Sequence, residues 1–421
     1  MASGRGTLVF AADIIPHMAA LVPFRALRPV PAAAERVAAV PYDVVNTAEA
    51  RELALGNPLS FLHVSRAEID LPPGTDPHSD AVYERALHNF DELREKAPLA
   101  VDDTPGLYVY RLRMGSHVQT GVAGCFSLHE YDHHLVKKHE HTRPDKEDDR
   151  TKHLIRLRAQ TGPVFLTYRS EVVINDLVAK VTHEWPLFGF TSADGVQHAL
   201  WRVSDEMTPA LVASFASVPA LYIADGHHRA ASAARARRHF GAGGQAGEWD
   251  AFLAVAFPDA QVQILPYNRV VRDLAGHTPA TLLDALRDRL TVTAGPASPT
   301  RHGDVSMYLD GQWHTVQLGG APASLTPDER LDVSRLHTLI LAPLLGIGDV
   351  RTDSRIDFVG GARGSAELER RVASGEWAVA FSMFPVGVRE LMAISDAGGV
   401  MPPKSTWFEP KLRDGLLSHL I

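Results

Sequence analysis

Residues 220–234, ALYIADGHHRAASAA, constrain the fold more tightly than any other stretch of the chain. An apolar run of strand length meets a glycine, and that glycine opens directly into an alanine-rich helix. The junction exposes the first N–H groups of the helix and the positive end of its dipole, which suits an anion. Gly226 allows close approach to the backbone. His227, His228 and Arg229 add side-chain donors, and Arg229 can grip a phosphate through two parallel hydrogen bonds. Asp225 does not belong in a pure anion cradle. It suits a Mg²⁺ ligand, or a base that orients an attacking hydroxyl. The competing reading makes Asp225 a helix cap and leaves the histidines in ordinary hydrogen bonds.

Around this junction the hydrophobic period changes several times. Asn46 is placed to cap a helix over 47–55, and residues 78–96 carry Val82, Ala86, Phe90 and Leu93 on one helical face. From 107 the period becomes two, giving strands at 107–112 and 118–128 joined through Met114-Gly115-Ser116, so part of the sheet is antiparallel. A helix is expected from Pro144 to about Gln160, with Gly162 after its end. Strands follow at 164–168, 219–223, 251–257 and 261–265, with a hairpin-like segment at 190–203 and a helix at 229–240. Helices around 282–290, 336–340 and 387–397 and a strand at 377–383 complete the pattern. Strands and helices mix without strict alternation, which indicates an α+β fold with mixed sheets. With 421 residues, two or three domains are expected. The boundaries fall at a flexible extension 1–23, with Met18 as an alternative start, an N-terminal α/β segment 24–100, a central α+β domain 101–270, and a C-terminal α+β segment 271–421.

Other polar groups compete for a role. His139-Glu140-His141-Thr142 precedes the charged helix at 144. Its histidine spacing is not that of a helical zinc motif, so three readings stay open: a solvated loop, a general base at Glu140 or His139, and a zinc set of His133, His134, His139 and His141. Lys146 and Arg150 share a helix face and could reach a phosphate, or pair with Glu147 and Asp149. Tyr42 and Asp43 stand at a strand end, where Asp43 offers a carboxylate to a substrate ammonium or serves the turn. Lys404, behind two prolines, could close over an anion, or its segment could pack by Trp407 and Phe408.

The turn DGHHR at 225–229 resembles the phosphate-binding motif of the free serine kinases, which share the ParB/sulfiredoxin-like fold. More broadly, residues 24–418 resemble the DUF1015 family. Four segments carry this: Phe24–Pro29 with Pro41–Val44; His139–Thr142 with Lys146–Arg150; Ala224–Arg229; and Met401–Lys411. The resemblance implies a phosphate-binding unit of that fold, ATP or ADP with Mg²⁺ as cofactors, and catalytic involvement of Asp225. Sulfiredoxin's thiol chemistry does not carry over, because Cys125 is far from the turn in sequence.

Composition removes several classes of function. A net charge of −8 gives no overall basic field for nucleic acid. The lone cysteine excludes an intrachain disulfide framework and a thiolate zinc site, and makes the cytoplasm the default compartment. No apolar run reaches the ~18–20 residues of a membrane span. Neither a GxxxxGK[ST] loop nor a GxGxxG fingerprint occurs, so a nucleotide would have to use 225–229. The leading expectation is a small-molecule kinase acting on serine or a similar hydroxyl metabolite. A non-catalytic sensor of nucleotides or phosphometabolites and a metal-dependent hydrolase are the alternatives.

Overall fold

The computed structural model describes residues 20–96 and 99–421. They form an α+β chain with several sheets and two compact units. The first unit comprises the described residues up to Val262 together with Pro410–Ile421, and the second comprises Gln263–Glu409. The segments expected at 24–100 and 101–270 therefore share one unit. The last twelve residues leave the expected C-terminal segment and join that unit as well.

The first unit is built on a nine-stranded mixed sheet. Its order is Val136–Lys137, Leu221–Asp225, Val164–Tyr168, Ala251–Pro258, His117–Ser127, Tyr108–Met114, Gln197–Arg202, Phe188–Thr191, with Leu21–Val22 paired beside His117–Ser127. The hairpin from Tyr108 to Ser127 closes at Met114↔His117 over the two residues Gly115 and Ser116. Gly115 takes a φ of 59°, which suits glycine. The turn-bearing strand Leu221–Asp225 is antiparallel to Val164–Tyr168 and parallel to Val136–Lys137. It is therefore held on both sides and delivers Asp225 at a fixed place. Leu21, Phe126, Leu166, Ile223 and Phe252 belong to the core beneath this sheet.

Residues 1–19 lie outside the described part, so most of the expected N-terminal extension is not addressed. Its last residues are not an extension: Leu21 and Val22 pair with Phe126 and Cys125. A second core gathers Val37, Phe61, Leu62 and Phe90. Beside it, a four-stranded sheet of Leu99–Val101, Ala26–Pro29, Ser418–Leu420 and Ala159–Gln160 ties the last residues to the N-terminal ones. Asn46 caps Thr47–Ala54 in a reciprocal box with Glu49. The charged helix starts at Pro144 as expected but ends at Leu157, with Arg158 in the left-handed conformation.

The second unit carries a six-stranded antiparallel sheet in the order Thr291–Ala294, Gln312–Gln317, Asp304–Leu309, Val379–Ser382, Tyr267–Val271, Ile356–Gly360. Its core includes Leu282, Leu286, Leu336, Ile340 and Ile394, on the expected helices. Among the described residues no helix is long and apolar enough to cross a membrane.

Candidate functional site

The strand Leu221–Asp225 runs into Gly226 at φ 96°, and the helix His227–Phe240 begins at once. No side chain caps this helix, so its first N–H groups remain available to a ligand. The φ of 96° favours glycine, and a Cβ at residue 226 would lie 3.0 Å from the Arg229 guanidinium, which would have to shift to admit it. Arg229 is folded back over the turn. It donates to the Pro163 carbonyl and lies 3.5 Å from Asp225 Oδ2, while its buried Nε has no partner.

Asp225 is held differently from the sequence expectation. Its Oδ1 accepts from the Gly226 N–H at 3.0 Å, and its Oδ2 accepts from Lys411 Nζ at 3.2 Å. Burial opposes the charge, but Lys411 and Arg229 outweigh it and hold the carboxyl well below the usual aspartate range. A carboxylate already neutralised by two cations does not fit a Mg²⁺ ligand, which must compete for hard anionic oxygen. It also has little affinity for a proton. Asp225 is fitted to anchor the turn.

The two histidines also differ from expectation. His227 Nε2 accepts the His139 N–H at 3.4 Å, and His228 Nε2 accepts the Arg143 N–H at 3.0 Å. Burial lowers the pKa of both rings, which keeps them neutral and able to accept. These nitrogens therefore clamp the 139–143 loop to the helix start, which leaves Nδ1 as the donor of each ring. In the neutral tautomer that this bond selects, His227 carries its proton on Nδ1, 3.9 Å from Glu140 Oε2. The rings of His139 and His227 meet edge to face at 4.4 Å. His139 is buried, and burial takes its pKa down to about 4. Glu140 is 55% exposed at its side chain. Among the described residues, His139, Glu140 and His227 form the one group placed to share a metal ion. The expected zinc set of His133, His134, His139 and His141 is not assembled: only His139 of the four belongs to that group.

A cleft lies beside the turn, lined by Arg229, Ser232, Tyr42, Arg150, Gln160, Gly162 and Asp414 among others. A second is lined by Lys146, Arg150, Asp149, Glu68, Arg66 and Tyr42 among others. Arg150 stacks on the Tyr42 ring at 4.1 Å and lines both. Its guanidinium bonds Asp149 at 2.7 Å and the Ser65 carbonyl at 3.4 Å. Despite burial, Arg150, His78 and Tyr83 hold Asp149 down to about 2. Lys146 and Arg150 thus share a cleft, with Arg150 committed to its neighbour. Asp43 is exposed and acts on Arg229 and His228 through its charge. Lys404 belongs to the second unit, where its ammonium lies over the Tyr267 ring at 5.5 Å. The lysine that reaches the turn is Lys411.

Nothing in the sequence marks Asp414 or the contact of Lys411 with Asp225, whereas the pairing of Arg150 with Asp149 is one of the two readings the sequence offers. Asp414 is 3% exposed. Burial pushes its carboxyl up to about 7, although Arg229 and Arg150 pull it down.

An α+β unit with a glycine turn, an uncapped helix and a charged cleft is the class that the geometry defines. The chain belongs to the family described as protein of unknown function (DUF1015), whose model matches residues 21–334. No curated protein matches it. Among solved structures the chain is similar to a free serine kinase in complex with AMP, at 14% identity over 70% of this chain and 92% of that one, with a TM-score of 0.35. It is also similar to a conserved hypothetical protein from Pyrococcus furiosus, at 14% identity over 71% and 95%, with a TM-score of 0.35. SbnI with C-terminal truncation from Staphylococcus aureus matches at 12% identity over 71% and 87%, with a TM-score of 0.39. These likenesses are too distant to transfer the role of any residue.

Proposed function

We propose that the chain is a phosphotransferase that binds phosphate at 225–229 and passes a phosphoryl group to the hydroxyl of serine or a similar metabolite. A nucleotide, ATP or ADP, is the donor that the turn's resemblance to the free serine kinases favours. The observation that carries the reading is the uncapped start of His227–Phe240 behind Gly226, beside the cleft that Arg229 lines. Backbone N–H groups and the helix dipole would take the phosphate oxygens. Asp225 and Lys411 would hold Arg229 and the turn in position, and preorganised charge of this kind is the main device of phosphoryl transfer. Lys146, in the adjoining cleft, would neutralise the rest of the donor, with Arg150 fixed beside it by Asp149. Tyr42 would shape the wall between the clefts, and Asp43 would bias the site toward a cationic group on the acceptor. One buried thiol, Cys125, suits a reducing setting such as the cytoplasm.

The test is a screen of ATP, ADP and pyrophosphate against L-serine and related hydroxyl metabolites, read by phosphorus NMR, with calorimetry of each donor. A phosphorylated acceptor is the expected result. Donor binding without product with any acceptor would assign the chain to the regulatory binders. Neither binding nor product would remove the phosphate reading altogether.

A further inference from the structure

The C-terminal residues return to the first unit and set a carboxyl group into the wall of the cleft beside the turn. The backbone of Asp414 is fixed by two hydrogen bonds with Ala39, one in each direction, at 2.9 and 3.2 Å. Gly162 leaves room for the side chain, since a Cβ there would fall 2.5 Å from Asp414 Oδ1. The cations of the cleft are committed elsewhere. Arg229 gives its bonds to Pro163 and Asp225, and Arg150 to Asp149 and Ser65. Asp414 is thus a buried acid beside the turn, close to two guanidiniums whose hydrogen bonds go to other groups.

We infer that Asp414 is the proton acceptor for the hydroxyl that attacks the phosphorus held at 225–229. The inference rests on the phosphotransferase reading. In the step it serves, the hydroxyl oxygen forms a bond to the donor's terminal phosphorus. The bond from that phosphorus to its bridging oxygen breaks, and the electron pair leaves with the shortened donor. The hydroxyl proton passes to Asp414 Oδ and later to solvent. A group with a proton affinity near neutrality can both take and release that proton. The neighbouring groups cannot do so equally well. Asp225 is neutralised by Lys411 and Arg229, Asp149 is held down to about 2, and His153 is buried, lowered to about 4 and bonded to the Val64 carbonyl.

The groups that set the behaviour of Asp414 come from three elements. Arg229 lies on the helix after the turn, Arg150 on Pro144–Leu157, and Asp43 and the Tyr42 N–H, which donates to the carboxyl, on the N-terminal segment, while His153 also lines the cleft. The experiment compares full-length wild type with Asp414→Asn. It measures nucleotide affinity by calorimetry and turnover from about pH 5.5 to about pH 8.5. The expected variant binds nucleotide within about threefold of wild type but turns over at least ~100-fold more slowly, and it loses the acid limb that wild type shows near neutrality. A variant that keeps turnover within about threefold, or keeps the limb, overturns the role of Asp414 and leaves the phosphotransferase reading standing. A wild type that yields no product with any donor overturns both. If the variant does not fold, the wild-type profile decides: a rate that does not change with pH across that range overturns the proposal.

Discussion

Replacing Asp414 by asparagine should stabilise the first unit at alkaline pH, whatever it does to activity. Burial raises this carboxyl from 3.8 to about 7. The folded chain therefore holds a proton that the unfolded chain has released, and stability falls as pH rises from the unfolded value through the folded one. At 1.36 kcal/mol per pH unit, the full cost above neutrality is about 4 kcal/mol. Part of that is already lost at about pH 5, so roughly 3 kcal/mol remains to be lost between there and pH 8.5. Asparagine keeps the shape and never ionises, so it escapes the whole pH-dependent part. The assay is urea unfolding of both proteins at about pH 5 and about pH 8.5, followed by a probe of the first unit, with matched m-values required before the free energies are compared. The variant's advantage should grow by about 3 kcal/mol between the two conditions. A difference that stays constant with pH would refute the reasoning, because it would mean that Asp414 ionises as freely folded as unfolded.

The turn makes a separate prediction. Gly226→Ala places a side chain at φ 96° and against the Arg229 guanidinium, which should cost at least about 1–2 kcal/mol and also abolish ADP binding. Thermal melts and calorimetry would check this, and a variant that binds ADP like wild type would show that close backbone approach is not used. The His139, Glu140 and His227 group predicts little metal, because the His139 N–H occupies the His227 Nε2 lone pair and leaves the proton on Nδ1. Elemental analysis of the purified protein should find less than about one zinc, manganese or iron per ten chains on that argument. Stoichiometric metal would favour the hydrolase alternative.

What was legible in the sequence was local. The Asn46 cap, the Gly115 hairpin and the strand–glycine–helix junction each depend on residues a few positions apart, and each forms as expected. Gly162 shows where local rules stop. Its place in the sequence suits the end of the charged helix, yet Arg158 ends that helix at φ 51° without a glycine. Gly162 is required instead by a carboxylate 252 positions later in the chain, a demand that no window around residue 162 contains.

The site divides in the same way. The turn's position was legible, but the direction of its hydrogen bonds was not. Two adjacent histidines read as donors until a loop more than eighty residues away supplies the N–H groups that make them acceptors. Asp225 read as a metal ligand or base until Lys411, 186 positions away, neutralises it. Sequence alone presents Asp225 and Asp414 as the same side chain. Packing gives the first a lysine and an arginine, and gives the second a dry wall beside arginines bonded elsewhere. Their proton affinities are thereby driven far apart within one unit. Such a divergence is how one site obtains a fixed anchor and a titrating partner from a single residue type. The conspicuous aspartate of the turn is thereby the anchor, and the carboxyl that titrates near neutrality is one that no motif marks.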